Sequence, residues 1–180
     1  MHDSCIKFAQ VICLQETWLE SIHSSLNVLD ADGWKQHNVC LGKGRGVTTL
    51  FKEGYCSKSE VKYDRFQMLK ISSEKRDIIN VYRSGDANNN EFVNELSTLI
   101  ESSKSTLIIG DFNLCHLDQK SHPVFVALEN LEFHQLVEKP THMEGRLIDV
   151  IFSNEKKEDV KYSQQAQYFT DHDLLKIYDV

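Results

Sequence analysis

The chain has 180 residues, enough for one domain with a sizeable core. Hydrophobic residues at 41% and charged residues at 26% are those of an ordinary soluble globular protein. A formal net charge of -7 makes a poor general binder of nucleic acid, because phosphate affinity rests mainly on Lys and Arg, but it leaves room for a local basic groove or a bound divalent cation.

In chain order, residues 3–10 read as the end of a helix. Val11–Leu14 (V-I-C-L) reads as a buried strand. A glycine-rich turn, G-K-G-R-G, leads into a β-branched strand over Gly46–Phe51. Phe66–Ile71 alternates apolar and polar, and Ile78–Tyr82 (I-I-N-V-Y) is a further strand. Asn90–Ser102 carries Phe92, Val93, Leu96, Leu99 and Ile100 at helical spacing behind an Asn-rich start suited to an N-cap. Thr106–Ile109 is a strand. Pro123–Leu131 is a helix with Val124, Phe125, Leu128 and Leu131 on one face and proline in its first turn. Leu147–Phe152 and Leu174–Tyr178 close the set of strands. Mixed order with several β-β steps points to an α+β layered domain, a β-sandwich flanked by helices.

The five cysteines, Cys5, Cys13, Cys40, Cys56 and Cys115, are odd in number and include no C-x-x-C pair. That favours free thiols in a reducing compartment over a disulfide framework or a zinc site. No apolar run approaches the ~18 residues of a membrane helix, and Met1–Gln10 lacks the apolar block of a signal peptide. The expectation is an intracellular protein with no membrane partner.

The polar residues that need explaining sit at strand ends. Glu16 follows V-I-C-L-Q, and Tyr82 ends I-I-N-V-Y. Asp111 and Asn113 follow L-I-I-G. Asp149 lies inside L-I-D-V-I-F. Asp171 and His172 stand in T-D-H-D before the last strand. Each has a plain structural alternative. Glu16 could be an acid at a helix start, Asp111 and Asn113 could be turn formers, and His172 could be a surface or core histidine. Asp149 resists that treatment, since it interrupts an apolar run and its charge needs a partner. Together and in this order, the five places imply one convergent cleft.

The motifs L-Q-E-T-W, I-I-N-V-Y-R, I-I-G-D-F-N, R-L-I-D-V-I-F and T-D-H-D resemble the ordered motifs of the endonuclease/exonuclease/phosphatase superfamily. The segment E-K-P-T-H-M-E-G-R-L-I-D is similar to one in the endonucleases of mobile elements, both non-LTR retrotransposons and Helitron-type transposons. The resemblance spans residues 10 to 178. It implies a four-layered α/β sandwich of two packed mixed sheets flanked by helices, and Mg²⁺- (or Mn²⁺-) dependent phosphodiester hydrolysis. By resemblance, Glu16 binds the metal and Asp111 orients or deprotonates the attacking water. Asn113 holds that water or a phosphate oxygen. His172 contacts a non-bridging oxygen, Asp149 holds the imidazole, and Tyr82 reaches the phosphate or leaving group. Asp171 supports these residues or binds a second metal.

The resemblance further implies a monomer that nicks DNA, in the nucleus if it acts on genomic DNA, alongside other domains of a transposon polyprotein. Lys43, Arg45 and Arg146, with Lys52 and Lys139, are candidates for a phosphate track, against scattered surface charge. A phosphatase acting on phosphoinositide-like substrates and a degenerate, non-catalytic domain are the alternatives. The family opens with a strand carrying W-N-x-x-G, whereas Met1 here is followed at once by H-D-S-C-I-K-F-A-Q. The expectation is a single domain over residues 1–180 that lacks that strand and is one metal ligand short.

Overall fold

The computed structural model describes residues 9–19, 33–42 and 44–179. The expected helix end at residues 3–10 falls almost wholly outside them, as do Cys5 and Lys43. The fold is α+β. β1 (Val11–Gln15), β2 (Lys35–Val39) and β3 (Val47–Phe51) form an antiparallel sheet in the order β1-β3-β2. Six strands form a second sheet: β4 (Cys56–Lys62), β5 (Phe66–Ser72), β6 (Arg76–Arg83), β7 (Ser105–Asp111), β8 (His134–Gln135) and β9 (Asp149–Ser153). Their order is β4-β5-β6-β7-β9-β8, and only the β6–β7 pair is parallel, so this sheet is mixed. β10 (Val160–Gln165) and β11 (Leu174–Asp179) form a separate antiparallel ribbon. Two helices are present among the described residues, α1 (Asn89–Leu99) and α2 (Pro123–Asn130).

All seven expected strands and both interior helices are found. α1 starts where the Asn run places it: the Asn88 side chain accepts from Glu91 N–H at 3.1 Å. β2, β4, β8 and β10 were not expected. K-Q-H-N-V, C-S-K-S-E-V-K and V-K-Y-S-Q-Q each mix polar with few apolar residues, and β8 has only two residues. The four described cysteines, Cys13, Cys40, Cys56 and Cys115, are free thiols.

The two faces of the six-stranded sheet are covered differently. On one, Phe66 of β5 and Phe152 of β9 meet Phe92 of α1 and Phe125 of α2, with Phe112 at the centre of the aromatic ladder. All five rings are fully buried, each stabilising the fold by about 1.5–3 kcal/mol. On the other face lies the three-stranded sheet, fixed by Asn80 of β6. The Asn80 amide nitrogen donates to Thr48 O (3.0 Å), Thr49 Oγ1 (3.1 Å) and Leu14 O (3.3 Å), and its oxygen accepts from Gln15 Nε2 at 2.6 Å. Asn80 is fully buried and satisfied by these bonds. They set the end of β1 over the end of β6.

Gly110 stays inside β7, paired with Val81 and Val150. Its φ is +151°, and a Cβ there would stand 1.8 Å from Val81 O. Glycine is required because the parallel neighbour approaches so closely.

Candidate active site

Three neighbouring strands deliver three polar side chains to one rim. In register, Tyr82 at the end of β6 pairs with Asp111 at the end of β7, and Asp111 pairs with Asp149, the first residue of β9. Alternation puts all three on the face toward the three-stranded sheet. Asp149 is thus at a strand start and not inside the strand. Leu147 and Ile148 precede β9, their carbonyls accepting from His116 N–H and Phe112 N–H, each at 2.9 Å. Those two bonds hold the turn after Asp111 against the chain before Asp149.

Glu16 follows β1 directly, and its carboxylate acts on the Tyr82 phenol. Its φ is +48° and that of Trp18 is +56°. The segment is held there by Thr17 N–H to Gly46 O (3.3 Å) and Trp18 N–H to Arg45 O (3.1 Å). Burial pushes the Tyr82 phenol well above its usual range, and the bond to Glu16 and the charges of Glu16 and Asp111 add to it. Tyr82 is therefore a proton-bearing donor at neutral pH.

Asn113 lies past the strand in the left-handed region, φ +50°, a conformation asparagine tolerates. It does not share an extended face with Asp111, yet it still holds that carboxylate. Asn113 N–H donates to Asp111 Oδ1 at 2.8 Å, and its Nδ2 donates to Asp111 Oδ2 (3.2 Å) and Arg83 O (3.0 Å). Burial, then the charge of Asp149, pushes the Asp111 carboxyl up to about 7 against these bonds.

His172 closes the row. Its Nδ1 stands 2.9 and 3.1 Å from the two oxygens of Asp149. The Asp149 hydrogen bond, opposed by burial, pushes the imidazole up to about 9. The T-D-H-D segment is strapped to P-T-H-M-E-G-R. His142 and His172 form a β-bridge, Met143 N–H donates to Asp171 O (2.9 Å), and Asp173 N–H donates to Thr141 O (2.8 Å). Gly145, at φ +77°, makes the turn of that strap. The buried Thr141 hydroxyl accepts from Asp149 N–H (3.0 Å) and Ile148 N–H (3.3 Å), so one threonine ties the strap to the first residue of β9.

The expected residues therefore come together as a row: Glu16, Tyr82, Asp111 with Asn113, Asp149 and His172. Asp171 sits at the His172 end, away from Glu16. Its Oδ2 accepts from His142 Nε2 at 3.1 Å, and its Oδ1 is 3.9 Å from His172 Nε2. Its own backbone N–H, then His142 and His172, hold its carboxyl below the usual range. Among the described residues, two groups could hold a metal ion: Asp111, Asp149 and His172, and His142, Asp171 and His172, each with ligand atoms within 4.8 Å of one another. Buried carboxylates gathered around Asp111 suit a hard cation, which takes carboxylate oxygen. Arg45 stands at the Tyr82 end, paired with Asp64, and Arg146 lies in the strap just before Asp149. Lys52 stacks over Trp34, 4.8 Å from the ring centroid. Asn80, Thr141 and His142 were missed as supports of the site. Asn80 left a signal, a polar residue inside I-I-N-V-Y.

The profile of a family described as endonuclease-reverse transcriptase matches residues 76–176. No curated protein matches the chain. Among solved structures, the endonuclease domain of TRAS1, a telomere-specific non-LTR retrotransposon, is similar at 14% identity and TM-score 0.70, over 96% of this chain and 86% of that one. An AP endonuclease from Archaeoglobus fulgidus is similar at 16% identity and TM-score 0.72, over 97% and 90%. The 3′ phosphatase NExo from Neisseria, bound to a product DNA hairpin, is similar at 15% identity and TM-score 0.73, over 95% and 89%. At these identities the likeness is one of fold.

Proposed function

Since this chain belongs to the endonuclease-reverse transcriptase family, within the endonuclease/exonuclease/phosphatase superfamily, we propose that it is a Mg²⁺- or Mn²⁺-dependent phosphodiesterase that nicks DNA, of the kind carried by mobile elements. The observation that carries this reading is the row Glu16–Tyr82–Asp111–Asp149–His172 along one rim.

The geometry supports the following roles. Asp111, with its carboxyl near 7, is suited to accept the proton of an attacking water. Asn113 orients that carboxylate through two donors. His172 is cationic at neutral pH and fixed through Nδ1, which leaves Nε2 to bind a non-bridging phosphate oxygen as negative charge grows there. Asp149 sets the orientation of the imidazole and stabilises its charge, as in a triad. Tyr82 supplies a donor to the phosphate or the leaving oxygen. Glu16 would hold a divalent cation, which would supply Lewis-acid polarisation of the phosphoryl oxygens. Asp171 supports His172 or offers a second cation position together with His142. Arg45 and Arg146 flank the row at its two ends and would meet neighbouring phosphates, with Lys43 joining them. We assign the work to genomic DNA in the nucleus, in a four-layered sandwich of the superfamily type. No helix among the described residues is long and apolar enough to cross a membrane.

The test is nicking of supercoiled plasmid in Mg²⁺, Mn²⁺ and EDTA, with Glu16→Gln as the control. Metal-dependent nicking that Glu16→Gln loses is the expected result. No nicking with either metal, or equal rates for the two proteins, would overturn the reading.

A further inference from the structure

Beside the His172 end of the row stand three large apolar side chains open to solvent: Met143 is 81% exposed, Tyr168 98% and Phe169 73%. Met143 sits at the tip of the strap, its N–H bonded to Asp171 O at 2.9 Å. Tyr168 and Phe169 lie just before Asp171, their rings edge to face at 5.3 Å. Thr170 ties them to the site, since its hydroxyl accepts from His172 N–H at 3.3 Å. The catalytic row uses none of the three.

We propose that Met143, Tyr168 and Phe169 form a stacking platform for an unpaired nucleobase, so that the preferred substrate is a DNA strand with bases free of a duplex at the cleavage point. This rests on the nuclease reading and names its substrate class. Three observations converge on it. First, the backbone ties the patch to the His172 end of the row, through Met143 N–H to Asp171 O at 2.9 Å and His172 N–H to the Thr170 hydroxyl at 3.3 Å. Second, the chain carries a net charge of -7, so phosphate contacts alone give a weak hold. Third, an exposed ring edge-to-face pair offers an aromatic surface that any base can cover, whereas a base inside a duplex has both faces occupied by its neighbours. Stacking supplies the affinity that charge does not.

The experiment measures binding by fluorescence anisotropy in EDTA, where no cleavage occurs. The probes are a labelled oligothymidylate, a base-free strand of the same length and charge, and a blunt duplex. The full chain should bind the oligothymidylate about tenfold or more tightly than the base-free strand. Tyr168→Ala with Phe169→Ala should erase that preference, and Tyr168→Phe should keep it. These side chains are exposed, so thermal melts of the variants should match the parent. Equal binding of the first two probes by the parent overturns the platform, as does a double variant that keeps the preference. A double variant whose only change is a smaller sedimenting species also overturns it, by showing that the patch covers protein. Plasmid nicking that persists in that case leaves the nuclease reading intact. Base-dependent binding without nicking sinks the nuclease reading instead.

Discussion

Two aspartates stand at opposite ends of the parallel pair β6–β7. Asp77, at the β6 start, is fully buried, and Asp111, at the β7 end, is 5% exposed. Their surroundings are inverse. Lys70 Nζ lies 2.7 Å and Lys104 Nζ 2.8 Å from Asp77, and Ser72 donates to it at 2.7 Å. Burial pushes the Asp77 carboxyl up, but the bonds from Lys104, Lys70 and Ser72 outweigh it and hold the group below the usual range. Asp111 has carboxylates for neighbours, Asp149 and Glu16, and its carboxyl goes up. One end of the sheet neutralises its buried charge with its own lysines. The other end concentrates negative charge, a choice that costs stability and makes sense where a cation and a proton transfer are to be accommodated.

The sharpest way to break this contrast is at the Asp149–His172 pair. Asp149→Asn should lower metal-dependent nicking by ~10²–10⁴-fold while leaving the fold intact. His172→Ala should lose about as much, and the double variant little more, because the pair acts as a unit. Fully multiplicative losses would show that the two work independently.

The two aspartates themselves should respond in opposite directions. Asp77→Asn leaves Lys70 and Lys104 facing a neutral amide, and urea denaturation should show a loss of about 3 kcal/mol. Asp111→Asn removes a repelled charge, so at about pH 8 it should be neutral or stabilising, while nicking disappears. If both variants destabilise alike, the Asp111 end is a structural network too. Asn80→Ala tests what holds the two sheets in register. It should cost about 1–3 kcal/mol through its orphaned partners and raise the Mg²⁺ concentration needed for half-maximal nicking, since Glu16 is set by the end of β1. A variant with normal metal dependence would separate Asn80 from the site.

How much of this was legible in the sequence depends on the kind of signal. V-I-C-L, I-I-N-V-Y and T-L-I-I-G are apolar enough to announce strands, and the polar residues after them fall on one rim because strand ends do. β4 and β10 escaped because half of each faces solvent, where no apolar period is required. The roles of Thr141 and His142 were hidden for another reason. They act through a strap that pairs residues 142 and 172, and nothing local in P-T-H-M-E-G announces a partner thirty positions on. The need for glycine at Gly110 is set by Val81 on the neighbouring strand, which no local reading of G-D-F-N contains.

The pH dependence of stability reads the contrast directly. Asp111 titrates near 7 when folded, through burial and the charge of Asp149, against ~3.9 unfolded. Between those values the folded chain holds the extra proton, so stability falls as pH rises through the window. His172 titrates near 9 when folded, through its bond to Asp149, against ~6.5 unfolded. Its contribution is full below the unfolded value and is lost as pH rises through the folded one. The two share Asp149, so they merge into one broad decline from about pH 4 to about pH 9. Asp77 has the opposite sign, its contribution being present above ~3.9 and lost only as pH falls below that. Melting temperatures taken in EDTA across this range should therefore peak on the acid side and fall as pH rises. Saturating Mg²⁺ should flatten the limb below pH 7, because a cation at the carboxylates favours ionised Asp111. Glu16→Gln should lose that flattening while keeping the decline in EDTA. A melting temperature that climbs from pH 5 to pH 8 in EDTA would mean that the carboxylates at this end are already neutralised by the protein, and the contrast with Asp77 would collapse.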